Sequence, residues 1–504
     1  MGEEFRLAEL MAAISLATDL GMGQPLEQAL RTCLIAMGIG ERMGLEPSEL
    51  SDVYYVALLR FLGCTADAHE TASLTGDDIA FRTAVAPVFG AATPDFMRGV
   101  LGSVGAGETA PRRAARVAAF MTRGAATLRQ GVAAHCEVGE ALARRVGLGE
   151  GVRGGLSHAF ERWNGGGVPR GLKGEDIALP ARIVVLARDA EVLDRAAGRE
   201  PAVDAIRRRR RAGAYDPALV ELFGAHGAEL LDGLKGESVW DAVLAAEPAP
   251  RPWVPTSRLT AVLEAFADFI DLKSVFTGGH SRGVAGLVKG DKLEQAALVH
   301  DLGRASVSNS IWEKQGPLSV GEMERVRLHA YYTERILRHS RVLAPLADIA
   351  GMHHERLDGS GYHRSCRAAE IPAAARTLGA ADAYQAMTQP RPHRPALSPD
   401  AAATQLREEV KTGRLDAEAV EDVLQAAGHE GRRLHREWPA GLSEREVEVI
   451  RLVARGASKK DVARDLQISV STADHHVRHI YEKTGVNTRA GLTLFSIEHE
   501  LLAK

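Results

Sequence analysis

Between residues 280 and 382, five histidines and two aspartates stand among core-type residues: His280, the pair His300-Asp301, His329, the pair His353-His354, and Asp382. Their contexts, AALVHDLG and ARTLGAADAY among them, are apolar. A lone histidine in such a place is ordinarily a satisfied core residue. Seven buried polar groups together are costly unless they are paired or bind metal. Mixed imidazole and carboxylate donors suit iron, manganese or zinc. An aspartate bridging two ions, with histidines completing each, builds a two-metal site; ions about 3.5–4 Å apart hold a hydroxide and clamp a phosphate for in-line attack.

The segments that must position these groups are helical. TRGAATLRQGVAAHCEVGEALARRVG and AVLEAFADFIDLKSV place apolar residues at i, i+3 and i+4, and few runs alternate as strands do. Abundant alanine points the same way. The stretch AAEPAPRPWVPTSR, residues 245–258, carries four prolines and reads as a linker. On either side of it the chain repeats itself in order. YVALLRFLGCTA aligns with QAALVHDLGRAS, His135 falls on His329, and SHAFERWNGGGVPR aligns with MHHERLDGSGYHR. LPARIVVLARDAEVL aligns with AAARTLGAADAYQAM. In the first copy the chemistry is deleted: His300-Asp301 becomes Arg60-Phe61, His353-His354 becomes Ala159-Phe160, Asp382 becomes Arg188, and His280 falls on Gln28. Only His135 survives, and one histidine cannot hold two metals. The first copy therefore reads either as a packing or dimerisation domain or as a ligand sensor in an emptied pocket. The run Arg207 to Arg211 reads as the solvated end of a helix.

HSRGVAGL, HDLGR, the lone His329, HHERLDGSGY and DAYQAMTQPRPHR resemble, in order, the signatures of the HD-GYP phosphohydrolases, over about residues 260–428. That family is an all-α, metal-dependent subset of the HD superfamily, and its substrate class is cyclic dinucleotides. The resemblance implies two divalent ions held by His280, His300, Asp301, His329, His353, His354 and Asp382. It implies catalytic roles for Asp301, Arg304 and Lys314, and substrate contacts from Tyr362, Arg391 and Arg394. The chain departs from the pattern in three ways. Arg304 replaces a lysine, so a planar fork stands for a point charge. His363 replaces the proline of GYP, and Phe276 stands where some members carry a glutamate for a third metal. Only twenty positions separate His280 from His300. The shortened helix pair between them predicts a His280 tilted away from the metals, which speaks against turnover.

Residues 441–502 read as four short helices, with pattern breaks near Gly456, Ile468-Ser469 and Gly485. Ser443 and Glu446 form a capping box, and Ser469 is a second N-cap. The module resembles the LuxR-type helix-turn-helix, in which a short helix is turned onto a third that enters the major groove. That third helix is expected from about Val470 to Lys483. The resemblance gives Asp474, His475, Arg478 and His479 as groove-facing and Lys459, Lys460 and Thr472 as phosphate contacts. From Trp438 to Lys504 there are ten lysines and arginines against nine acids, a net of +1, so tight DNA binding calls for a homodimer.

The totals agree with this division. A length of 504 residues allows about three domains. Hydrophobic content of 45% and charged content of 25% fit a globular chain, and a net charge of −4 excludes binding nucleic acid by bulk positive charge. The four cysteines form no framework and read as reduced thiols. No signal peptide or membrane span is expected, so the location expected is cytoplasmic. The expected architecture is all-α: a degenerate HD-GYP-like domain over 1–244, the linker 245–258, an HD-GYP-like domain over 259–430, and a DNA-binding domain over 438–504. The function implied is a regulator that couples a metal-dependent phosphodiesterase to DNA. The iron or manganese pair suits the donor set, with zinc also compatible. The rival readings are a catalytically inactive ligand- or metal-sensing transcription regulator and an HD phosphohydrolase acting on other nucleotides or phosphomonoesters.

Overall fold

The apolar periodicity becomes helix almost throughout the residues that the computed structural model describes: 4–91, 93–236, 238–429, 438–454, 457–486, and the single residues 492, 495, 496, 499 and 501. Local chemistry sets the helix ends. Ser319 Oγ accepts from the Glu322 amide, and the Glu322 carboxylate accepts from the Ser319 amide, which starts helix Val320–His339. That helix carries His329. Among the described residues no helix is long and apolar enough to cross a membrane, and all four cysteines are free.

The two repeats share their order of elements. Helix Pro47–Leu59 ends at Arg60, as helix Asp291–Val299 ends at His300. Helix Ala110–Arg145 presents His135 and helix Val320–His339 presents His329. Helix Leu179–Ala197 carries Arg188, and helix Ala373–Thr388 carries Asp382. A glycine in each repeat makes the close approach possible. A Cβ on Gly63 would lie 2.0 Å from the His135 carbonyl oxygen, and one on Gly303 would lie 2.0 Å from that of His329. Glycine is thus required wherever the turn after the motif crosses the histidine helix, whether or not ligands remain.

The proline-rich segment is more than a tether. Trp253–Pro255 pairs antiparallel with Glu4–Arg6, the only two strands among the described residues. One hydrophobic cluster runs from Phe5 to Leu424 and takes side chains from both repeats. Helix Leu7–Gly21 packs on the turn Leu302–Ser306 that follows the His300-Asp301 pair. A buried polar bond network crosses the same seam. Asp78 accepts from Lys273 Nζ (3.3 Å), Ser308 Oγ (2.8 Å) and the Asn309 amide (2.8 Å). The arginine run is only partly solvated. Arg209 is turned inward, 3.3 Å from Asp189, while Arg207, Arg208, Arg210 and Arg211 stay exposed.

The C-terminal module has its own small core, built on Val447, Ile450, Val462, Ala473, Val477 and Ile480. Its described helices are Glu444–Ala454, Lys459–Asp465 and Val470–Thr484. Ser443 and Glu446 cap the first as expected, and Ser469 Oγ accepts from the Thr472 amide at the start of the third. The break near Gly456 and most of the fourth helix fall outside the described residues.

Candidate metal centre

The repeated E-R-x-(D/N)-G-x-G frame turns out to build a loop. Buried Glu355 accepts from the amides of Arg364 (2.7 Å) and Cys366 (2.9 Å), and Asp358 accepts from the Ser360 amide. In the first repeat Glu161 accepts from Arg170 (2.8 Å) and Leu172 (3.0 Å), and Asn164 from Gly166. The Val168–Pro169 and Tyr362–His363 peptides at matching places are both cis. The frame survives in both copies because the backbone needs it; the ligands are a separate layer.

In the second repeat that layer converges. Three histidines are aimed by the same device. His300 Nδ1 donates to the Ala297 carbonyl (2.7 Å), His329 Nδ1 to Val326 (2.5 Å), and His353 Nδ1 to Ala350 (2.6 Å). An N–H spent on the carbonyl three residues back leaves each Nε2 lone pair facing inward, the tautomer a metal ligand needs. Asp301 stands at the centre. Its Oδ2 lies 3.6 Å from His300 Nε2 and 3.9 Å from His280 Nε2, while its Oδ1 lies 3.5 Å from His329 Nε2 and 3.8 Å from His353 Nε2. Asp382 Oδ1 accepts from His280 Nε2 at 3.0 Å and lies 3.8 Å from His300; its Oδ2 lies 3.8 Å from His354 Nδ1. The donor atoms of His280, His300 and Asp382, of His329, His353 and His354, and of His300, Asp301 and His353 each lie within 4.8 Å of one another. Two groups of ligands thus flank the two oxygens of one carboxylate.

His280 is not tilted away, contrary to the expectation from its short spacing. Asp271 receives the amide (2.8 Å) and hydroxyl (2.7 Å) of Ser281, which pins the start of helix His280–Ala285. Gln389 bonds His280 Nδ1 at 2.9 Å from the other side. One short helix and a turn then suffice to reach helix Asp291–Val299.

The electrostatics suit cation binding. Burial pushes the Asp301 carboxyl up, but Arg304, His300 and His329 outweigh it and hold it well below the usual range. Burial likewise loses at Asp382, where the hydrogen bond from His280 and the nearby His300 and His354 hold the carboxyl low. Burial pulls the His353 imidazole down to about 3 and His354 lower than its ordinary value, so both are neutral donors. At His300 burial is overcome by Asp301 and Asp382, which push the imidazole up to about 9. His300 Nε2 is buried and has no hydrogen-bond partner among the described residues. An unsatisfied inward nitrogen beside two ionised carboxylates is what a divalent cation would complete. The residues fit a metal.

Around the centre lies a cavity of about 330 Å³. Arg304 donates to Asp301 Oδ2 (2.8 Å) and stacks 4.1 Å above the Trp312 ring. Trp312, also 5.9 Å from His329, carried no sequence signal because a lone aromatic has no motif. Tyr362 packs 4.7 Å from the His354 ring. Lys314 lines the rim and is paired with Glu322 at 2.7 Å. Arg391 bonds the Phe276 carbonyl at 3.2 Å and faces the cavity; burial and Arg304 pull its guanidinium down to about 10. Arg394 borders the same cavity, but its Nη1 and Nη2 donate to the carbonyls of Ala386, Met387, Gln389 and Pro395. It closes the end of helix Ala373–Thr388, which leaves Arg391 the less committed fork.

Comparison with known proteins agrees with this geometry. The HD domain model matches residues 111–219 and 286–419, one segment in each repeat, and the model for bacterial regulatory proteins of the luxR family matches 440–496. The chain is 32% identical over 424 residues to 3'3'-cGAMP-specific phosphodiesterase 3 of Vibrio cholerae, covering 81% of this chain and 92% of that protein. It belongs to the HD-GYP family. A crystal structure described as cyclic GMP-AMP specific phosphodiesterases of V. cholerae superposes with a TM-score of 0.57 at 29% identity, covering 84% of this chain and 98% of that one. A cyclic di-GMP phosphodiesterase of Thermotoga maritima is 37% identical over 105 residues, covering 20% of this chain and 28% of its own length. HD-domain phosphohydrolases are metal-dependent, and among the described residues of this HD-GYP chain the candidate donor clusters all lie in the second repeat.

The luxR-family module presents one polar face. Along helix Val470–Thr484, Ala473, Val477 and Ile480 are buried, while Thr472, His475, Arg478 and His479 are exposed. Lys459 and Lys460, at the start of the preceding helix, are exposed too. Asp474 is ion-paired with Lys459, and Arg478 Nη2 lies 3.7 Å from it. The carboxylate thus partly neutralises two cations on this face. Asp474→Asn is expected to tighten non-specific DNA binding about tenfold at low salt and to steepen the salt dependence by about one phosphate contact. Fluorescence anisotropy across a salt series checks this, and a slope unchanged by the substitution contradicts it.

Proposed function

We propose that this chain is a cytoplasmic signalling regulator that hydrolyses a 3',3'-cyclic dinucleotide in its second repeat and binds DNA, as a homodimer, through its C-terminal module. The observation that carries the first half is the two-sided Asp301, each oxygen facing its own pair of imidazoles. Two divalent ions, iron or manganese by donor type and zinc as a further fit, would supply there a hydroxide at neutral pH and a charge clamp on the phosphate. His280, His300 and Asp382 would hold one, His329, His353 and His354 the other, and Asp301 both.

The protein's own groups do the rest. Arg391 offers a fork to a non-bridging phosphate oxygen, and Tyr362 presents its hydroxyl beside His354. Arg304, fixed by Asp301 below and Trp312 above, adds positive charge at the same wall. Lys314 stands at the rim, where it meets the second phosphate or the ribose. Hydrolysis adds one water across a P–O bond: its oxygen joins phosphorus, and the departing ribose oxygen takes up a proton, giving a linear dinucleotide. Weak charge in the DNA module, a net of +1, supports the dimer.

The test is incubation of metal-loaded full-length chain with 3'3'-cGAMP and with cyclic di-GMP, followed by chromatography. A linear dinucleotide from at least one supports the reading. No product from either, with about two ions bound per chain, overturns it and leaves a regulator without turnover.

A further inference from the structure

The emptied pocket of the first repeat is not filled in. A cavity of about 360 Å³ remains where the metals' counterparts have gone, close in size to the 330 Å³ cavity of the second repeat. It falls at the small end of ligand pockets, roughly 300–1,000 Å³. Phe61, Phe89, Phe96 and Phe160 line it, and so do Arg60 and Arg188. These two arginines stand in the places of His300 and Asp382.

Both arginines are buried, 3% and 4% exposed, and neither guanidinium is fully satisfied. Arg60 Nε and Nη1 have no hydrogen-bond partner among the described residues, and neither has Arg188 Nε. Arg60 lies 5.5 Å from the Phe61 ring centroid and 5.3 Å from that of Phe160; Arg188 lies 5.9 Å from Phe61. Contacts with ring faces do not replace the hydrogen bonds a buried guanidinium loses. Arg188 Nη1 donates to the Ala86 carbonyl (2.9 Å) and to Asp189 (2.8 Å), a counterion shared with Arg209, which leaves its Nε free to meet a ligand. Among the described residues Arg60 has no salt bridge, and burial together with the charge of Arg188 pulls its guanidinium down to about 10. The surviving His135 has lost its ligand role: its Nε2 lies 3.2 Å from the Arg60 carbonyl, and burial drives the imidazole down to about 3. Arg82, also on the wall, is already paired with Asp67 at 2.8 Å. The cavity is left cationic, aromatic-walled and short of acceptors.

We propose that the first repeat is a metal-independent binding site for a phosphorylated ligand with a flat apolar part, a nucleotide in chemical class, with Arg60 and Arg188 in the charge role of the two ions. A phosphate supplies the acceptors the two forks lack, and guanidinium matches it bidentately. The phenylalanine rings take the flat portion by stacking. The site binds without hydrolysing, because it holds neither a bridging carboxylate nor more than one histidine. Occupancy is read at the second repeat, which shares its core with the first.

The test uses the full-length Asp301→Ala chain in chelator, so that turnover in the second repeat plays no part. The probes are 3'3'-cGAMP, cyclic di-GMP, GMP and guanosine, titrated calorimetrically up to about 1 mM, the weak end of specific binding. The expected result is one phosphate-bearing ligand per chain and no binding of guanosine. Preference for a cyclic dinucleotide makes the site a sensor of substrate; preference for GMP makes it a sensor of product. Arg60→Met should weaken binding at least about tenfold without lowering Tm, since a buried charge without a salt bridge is being removed; Arg188→Met should weaken it as much but lower Tm, because it leaves buried Asp189 to Arg209 and Tyr215 alone. Arg129→Glu, on the exposed edge of the cavity, should weaken binding several-fold in a chain whose fold it does not touch. No binding by any probe overturns the proposal, as does guanosine binding as well as GMP, or binding that survives all three substitutions.

Discussion

Asp301→Asn is expected to leave a folded chain that holds neither metal ion and hydrolyses cyclic dinucleotide at least a hundredfold more slowly than the parent. The reason is position. Asp301 alone faces two imidazoles on each side of the centre within 3.9 Å; Asp382 faces His280 and His300 and reaches across only to His354. Asparagine keeps the shape, but it offers one carbonyl oxygen and no charge, so one side loses its bridge and both lose half a counter-charge. Loss of a mere outer-shell partner costs about 10–100-fold in metal affinity or activity; removal of the shared ligand costs more. Elemental analysis of protein purified without a histidine tag measures the metal, and product chromatography the rate. His329→Ala makes the informative comparison, because it strips one side only and should leave about one ion. If Asp301→Asn retains two ions per chain, the bridging assignment fails. If the ions go and the rate stays, the chemistry lies elsewhere.

The ligand set was legible because metal ligation demands particular residue types in apolar contexts, and the pairs HD and HH with the distant Asp382 survive in the sequence as such. The helix-turn-helix was legible for the same reason in another form: Ser443, Glu446 and Ser469 are local capping signals, and they act over three residues. What stayed hidden was non-local. The placement of His280 rests on Asp271 and Gln389, one nine residues before it and one more than a hundred after, so spacing alone suggested a tilt that the fold does not have. The strand Trp253–Pro255 is three residues long inside a proline-rich stretch, too short to show a period of two. Trp312 and the capping role of Arg394 belong to no pattern. The E-R-x-(D/N)-G-x-G frame was visible twice, but its meaning was not. Only the bonds of Glu161 and Glu355 to loop amides show that it is a backbone device that outlives the chemistry it once framed.

The same non-locality makes the first repeat a brace for the second. Asp78 is fully buried, and the groups it holds bracket the metal-bearing loops. Lys273 lies seven residues before His280, while Ser308 and Asn309 directly follow the turn that carries Asp301. Burial pushes the Asp78 carboxyl up, but Lys273 and Arg82 outweigh it and leave it below its ordinary value. Asp78→Ala strands the Lys273 ammonium, only 3% exposed, without a counter-charge. Breaking a buried pair in this way costs about 3–5 kcal/mol. At roughly 2–4 °C per kcal/mol for domains of 150–250 residues, Tm should fall by about 10 °C. A depressed folded pKa means the carboxylate's contribution is in full force above the unfolded value, about 3.9, and fades as pH falls through the folded one. The deficit of the variant should therefore be constant from pH 5 to 8 and shrink only in stronger acid. Adding Lys273→Met should restore most of the loss, because the stranded charge, rather than the missing bond, sets its size. A single variant within about 1 kcal/mol of the parent would show that water reaches the seam and that the two repeats are not locked there. A double variant no better than the single one would place the cost in the bonds to Ser308 and Asn309, and so in the shape of the turn that holds Asp301.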